Sequence, residues 1–220
     1  MKKLISYTIQ ICLLIVSFFS SIAWGRFLPL ENPAQQAVEK QVIQSPYEPI
    51  LTCWAWSCSA SASVQLREVE WQKIDTLFQP IATSAREERK QIRLAMGLFE
   101  KIVGELNGQT KFDLGAPNSK GKGKPGQTDC VDESTNSTRY LKFLKARGLL
   151  RFHQVTEIEM RFNKAWMPLL GQHFTATIQD LKTSQRYAVD TWWYDNGTPA
   201  VIQKLDAWLK RTSFDPAYVP

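Results

Sequence analysis

Hydrophobic and polar positions fall into two periods along this chain. Residues 62–67, Ala-Ser-Val-Gln-Leu-Arg, alternate small or apolar with polar side chains, the period of a half-buried strand. From Glu70 to Phe78 the period lengthens. Trp71, Ile74, Leu77 and Phe78 then share one side of a short helix that Pro80 stops. Ser84-Ala-Arg-Glu87 reads as a capping box. The helix it opens is expected to run to about Leu106, with Ile92, Ala95, Met96, Phe99, Ile102, Val103 and Leu106 as its buried stripe. A second long helix is expected from Cys130 to Arg147, ended by Gly148. Three strands follow: Leu150 to Val155, His173 to Ile178 and Tyr187 to Trp193. Asp195-Asn196-Gly197 is a turn, and a short strand near Val201 and a helix around Asp206 to Leu209 close the pattern. Helices beside an antiparallel meander predict an α+β fold, a single domain with helices packed on one sheet.

Three stretches depart from that pattern. Residues 1–25 begin with Lys2 and Lys3, continue as an apolar run densest from Ile9 to Phe19, and end in small residues at Ser20, Ser21 and Ala23. That order is a secretory signal peptide, and the run is short for a membrane span. Residues 26–50 carry Pro, Gln and Glu with little periodicity and read as an extended leader, which leaves residues 51–220 as the domain. Within it, residues 107–128 are rich in Gly and Pro and carry Lys120, Lys122 and Lys124, a flexible basic loop that leads into Cys130.

Composition narrows the class. The chain has 220 residues, 44% hydrophobic and 22% charged, with 11 Gly and 11 Pro. These values exclude disorder, collagen and a multi-span membrane protein. The formal charge is +6, and removal of Lys2 and Lys3 with the signal leaves a mild excess that argues against nucleic acid as partner. A periplasmic or secreted monomer is expected, touching membrane only through the signal segment. Export also matters for the four cysteines. Cys12 lies inside the apolar run, so Cys53, Cys58 and Cys130 remain in an oxidising compartment. Cys53 and Cys58 are near enough in sequence to close a short hairpin loop, leaving Cys130 as a free thiol, and a Cys58–Cys130 bridge is the alternative.

The candidate chemistry gathers around Cys130. Asp129 can cap the helix there, which sets the thiol in the first turn, where the helix N-terminus favours thiolate. Asp132 and Glu133 oppose this as like charges, so an imidazolium partner is required. A hairpin turn centred between Leu181 and Lys182 sets His173 opposite Asp190, on a face shared with Thr175, Thr177, Arg186 and Ala188. Phe174, Ala176, Ile178, Tyr187 and Val189 fill the other face. Nucleophile, base and orienting carboxylate then follow in the order Cys130, His173, Asp190. His153 is a rival base. Trp192 and Trp193 are candidates for the wall of a substrate groove. Two histidines and few paired carboxylates make no convincing metal set, and no cofactor is expected.

Gly126-Gln-Thr-Asp-Cys130, His173-Phe-Thr-Ala-Thr-Ile178 and Tyr187-Ala-Val-Asp190 resemble, in order and spacing, the transglutaminase-like branch of the papain-like cysteine enzymes. The likeness covers about residues 126–193. It departs at Val131 and the acids after it, where that family often has an aromatic residue, and Gln127 is the candidate for the oxyanion-hole side chain. Residues 129–138 and 190–197 also look like a group of uncharacterised exported bacterial proteins. The resemblance implies a transglutaminase-like core and a cysteine hydrolase or acyltransferase acting on an amide or peptide, with cell-envelope peptide as the expected substrate class. The alternative is a non-catalytic periplasmic binding or interaction protein on the same fold.

Overall fold

A side-chain cap opens the first described helix: Asn32 accepts from the Gln35 amide at 3.0 Å, and Pro33 takes the first helical position. This computed structural model describes residues 32–108, 126–162 and 172–210; the signal segment 1–25 and most of the basic loop 107–128 lie outside them. The elements, in chain order, are helix α1 (Pro33–Glu39), strands β1 (Ile50–Trp54) and β2 (Ala60–Val64), and helices α2 (Glu68–Thr76), α3 (Ala85–Asn107) and α4 (Cys130–Ala146). Strands β3 (His153–Phe162), β4 (Gln172–Asp180), β5 (Arg186–Asp190) and β6 (Val201–Lys204) follow, then helix α5 (Leu205–Lys210). The described residues thus form an α+β unit of five helices and two antiparallel sheets, β1-β2 and β3-β4-β5-β6. The expected leader is in part a helix. Ala34, Ala37 and Val38 of α1 are buried, and its end residues Asn32 and Gln35 bond the backbone of Ile158, where a bulge between Thr156 and Glu159 would leave β3 unpaired.

The main core lies between α2, α3 and α4 and one face of the larger sheet. Trp71, Phe99, Tyr140 and Phe143 meet there, with Phe99 and Tyr140 stacked at 4.8 Å. Ala176, Ile178 and Val189 supply the sheet side. These are the inward positions that the alternation predicts. The turn is displaced from the predicted centre. It spans Leu181 to Ser184, closed by Ser184 N–H donating to the Asp180 carbonyl at 2.8 Å, and pairs Thr177 with Ala188 and Ala176 with Val189. His173 and Asp190 are therefore diagonal neighbours, two residues off the predicted pairing. An even displacement preserves the faces, so both still project to the same side.

Helix α4 is not amphipathic. Every residue from Cys130 to Leu141 is buried, polar ones included. It is a central helix that packs through hydrogen bonds as much as through apolar contact. Asn136 clamps β1 by accepting from Cys53 N–H at 2.9 Å and donating to Cys53 carbonyl at 2.8 Å. Arg139 donates to the carbonyls of Leu51 and Ala37, at 2.8 and 2.5 Å, and burial lowers its guanidinium to about 10. Both acceptors are backbone carbonyls, so the two bonds tie α4 to β1 and to the end of α1.

The last fold constraint sits opposite the turn at Gly197. A Cβ on Gly97 of α3 would lie 2.8 Å from the Gly197 carbonyl oxygen and from backbone atoms of Thr198. Gly97→Ala is expected to destabilise the protein by about 1–3 kcal/mol despite its better helix propensity, because backbone must move. Urea unfolding measures this, and an unchanged midpoint would mean the helix–turn contact yields freely.

Candidate active site

The site begins with how the start of α4 is held. Asp129 Oδ1 accepts from the amides of Val131 and Asp132, at 3.0 and 2.9 Å, and Asp132 Oδ2 accepts in return from Asp129 N–H at 3.0 Å. Both carboxylates also reach the loop between β1 and β2. Asp132 accepts from Trp56 N–H at 2.9 Å and Cys58 N–H at 2.6 Å, and Asp129 from Ser57 N–H at 3.0 Å. Four successive residues of that loop, Ala55 to Cys58, have φ between 54° and 70°. Left-handed backbone costs a non-glycine residue roughly 1–2 kcal/mol. Amide bonds to a carboxylate contribute about 1.5–3 kcal/mol each, which offsets that cost. The turned loop is a nest of N–H groups around an anion. The Cys53–Cys58 disulfide closes the same loop, as the spacing predicts, and leaves Cys130 free.

Asp132 and Glu133 therefore do not oppose the thiol in the way expected. Asp132 faces the nest; burial and Asp129 push its carboxyl up to about 7 against the amides that pull it down. Glu133 is buried and accepts from Thr128 Oγ1 at 2.6 Å and Thr191 Oγ1 at 2.7 Å, while Thr191 also bonds Ser137 at 3.0 Å. Burial raises Glu133 against these hydroxyls. Since Thr191 follows Asp190, this latch ties the helix of Cys130 to the end of β5.

Cys130 itself lies at the edge of β4. Its Sγ donates to the Gln172 carbonyl at 3.7 Å, and the Phe174 amide points at it from the other side of His173. The sulfur thus sits beside the main chain that carries the imidazole. Burial, then Asp129 and Asp190, push the thiol up to about 12 despite the Phe174 amide and its own. Burial therefore works against the thiolate that the helix N-terminus favours.

His173 Nε2 meets Asp190 Oδ2 at 2.7 Å. The same oxygen accepts from the indoles of Trp193 at 2.8 Å and Trp208 at 2.9 Å. Burial pushes Asp190 up, but the charge of His173 and its hydrogen bond, with those of Trp208 and Trp193, hold it below the usual carboxylate range. Three indoles surround the imidazole, with centroids at 4.7 Å for Trp192, 5.1 Å for Trp193 and 5.5 Å for Trp208. Trp192 and Trp193, expected along a substrate groove, are thus first of all the walls of the histidine. Trp208 is a member that sequence reasoning missed, and a lone indole in the six-residue helix α5 carries no periodic signal. Arg161 stacks on Trp208 at 4.5 Å and donates to its carbonyl at 2.7 Å. With Nε2 directed to the carboxylate, Nδ1 of His173 is left. It is buried and has no hydrogen-bond partner among the described residues.

The remaining candidates separate from this cluster. His153, the rival base, is fully buried at the far end of β3. Its Nδ1 meets Glu88 at 2.8 Å and its Nε2 faces Arg89 at 3.2 Å, so both nitrogens are engaged in holding α3 to the sheet. Gln127 is buried beside the helix start, where its side-chain amide donates to the Thr128 carbonyl at 3.1 Å and its main-chain carbonyl accepts from Ala55 N–H at 3.3 Å. Cys53, Cys58 and Asp132 bring possible metal donors within 4.8 Å of one another. Their sulfurs are spent on the disulfide and their carboxylate on amides.

No family model, curated protein or solved structure matches the chain. The disulfide is compatible with an exported protein, and among the described residues no helix is long and apolar enough to cross a membrane.

Asp190→Asn is expected to cost about 2–4 kcal/mol near neutral pH, since a buried carboxylate serving three donors is lost. The wild-type carboxylate lies below its unfolded value, so its stabilisation is present above about pH 4 and fades as pH falls through the folded value. Urea midpoints of the two proteins should therefore converge on acidification, and a gap independent of pH would contradict the assignment.

Proposed function

We propose that the protein is an exported cysteine hydrolase or acyltransferase of transglutaminase-like type, acting on an amide or peptide through Cys130, His173 and Asp190. The observation that carries this reading is the imidazole of His173. One nitrogen is committed to a buried carboxylate, and the other is buried without a partner beside the strand edge that holds a free thiol. A histidine that served packing alone would satisfy both nitrogens, as His153 does.

In this reading Cys130 is a neutral thiol at rest. Its sulfur attacks the carbonyl carbon while His173 Nδ1 removes the thiol proton, and Asp190 holds the tautomer and supports the imidazolium that forms. The proton passes to the leaving amine, and a thioester on Cys130 remains. Water or a second amine then releases the acyl group, giving hydrolysis or transfer. Gln127 is the side-chain candidate for the developing oxyanion, since the amides of Val131 and Asp132 are held by Asp129. Cell-envelope peptide is the substrate class that fits the export signal.

The same structure also supports a second reading, a non-catalytic binding protein. Its support is the burial that pushes Cys130 up to about 12.

An activated ester distinguishes them, because attack assisted by a base does not require a resting thiolate. Incubation with p-nitrophenyl acetate is expected to acetylate Cys130, with a burst of nitrophenol release lost in Cys130→Ala and reduced about 100-fold or more in His173→Ala, the usual contribution of a positioned base. Acetylation at the same rate without His173, or none at Cys130, would leave the binding reading. Iodoacetamide, which does depend on thiolate, should label Cys130 slowly at neutral pH and faster as pH rises.

A further inference from the structure

A second constellation lies away from the cysteine, on helix α3. Arg86, Arg89, Lys90 and Arg93 recur at helical spacing along one stripe and line a groove of about 210 Å³ floored by Leu94 and Ile202. No acid lines it. An exposed helix stripe in a soluble protein ordinarily alternates charge, so four cations around one concavity need explaining. Glu87, in the same turn, accepts from Thr83 N–H and Oγ1, both at 2.8 Å, and lies close enough to Lys90 to feel its charge without forming an ion pair. Glu88 is consumed by His153 and by the amides of Arg151 and Phe152. Arg86, Lys90 and Arg93 form no ion pair among the described residues, and Arg89 has only Asp180 at 3.9 Å.

Two of the guanidinium groups are also held in place. Arg89 lies 4.0 Å from the Tyr187 ring centroid and contacts His153 Nε2 through Nη1. Arg93 donates through Nε to the Ala200 carbonyl at 2.9 Å, while Ala200 N–H returns a bond to the Arg93 carbonyl at 3.1 Å. This clasp fixes the Arg93 stem and leaves its terminal nitrogens for other acceptors. Arg86 and Lys90 are exposed and supply adjustable charge. Ordered guanidinium forks with further cations around them are suited to a group with several anionic oxygens, more than to a single carboxylate.

We infer that this groove on α3 is a binding site for a phosphate group, carried either by a soluble ligand or by an anionic lipid headgroup. It is independent of the cysteine chemistry. Binding neutralises like charges that otherwise repel, and the positioned forks require little ordering.

Calorimetric titration of the purified protein with inorganic phosphate tests the site. A parallel measurement uses vesicles of phosphatidylcholine with and without phosphatidylglycerol. The comparison protein is Arg86→Gln/Lys90→Gln, whose fold should be intact because both side chains are exposed; an unchanged urea midpoint checks this. Saturable phosphate binding, weakened about tenfold in the variant and retained in chloride of equal ionic strength, is the expected result. Binding to anionic vesicles alone, lost in the variant, would support the site and assign its phosphate to a lipid headgroup. Absence of both interactions, equal binding by the variant, or displacement by chloride alone would overturn the proposal.

Discussion

Two carboxylates at the start of α4 are the constraint on which the rest of the site depends. Asp129 and Asp132 satisfy the helix's own first amides and at the same time gather the left-handed loop between β1 and β2. Each structure supplies groups that the other uses. The loop places four non-glycine residues in a costly conformation, and without its amides the buried Asp132 carboxylate would lose two donors. Joined, they fix the position of Cys130, the first residue of the helix. The Cys53–Cys58 disulfide reinforces the same closure covalently.

From that anchor the polar contacts run outward along α4. Asn136 and Arg139 seize backbone groups of β1 and α1, and Glu133 reaches Thr191 at the end of β5. The helix and the strands of His173 and Asp190 are therefore registered by directional bonds, which tolerate sliding far less than apolar contact does. Trp193 and Trp208 complete the arrangement by directing two indole donors at the oxygen that holds His173. Rigid support of this kind is what a nucleophile and a base need if the proton is to move only during attack.

Much of this was legible in the chain. The stripe of α3 and the alternation of β4 and β5 announced their elements because both bury one apolar face, and that face survives an error in turn placement. His173 and Asp190 stayed on one side although the turn lies further along, since the displacement is even. What was not legible is polar burial. Asp132 and Glu133 read as charges repelling the thiol, because their partners are amides and hydroxyls distant in sequence, and nothing local marks them. The helix at residues 33–39 did carry a signal in Asn32-Pro33, a cap followed by proline, but seven residues are too few for a period to stand out. Trp208 joined the site through the fold alone. The α+β class follows from the pattern; the cysteine enzyme remains a proposal from geometry.

The most direct test of that proposal is the state of the His173 ring. Nitrogen-resolved NMR of the imidazole at neutral pH, in the wild type and in Cys130→Ser, reads the proton position and the neighbour of Nδ1 together. The account predicts the proton on Nε2, shared with Asp190, and an Nδ1 resonance that moves when sulfur is replaced by oxygen. A proton on Nδ1, or an Nδ1 resonance indifferent to Cys130, would contradict it.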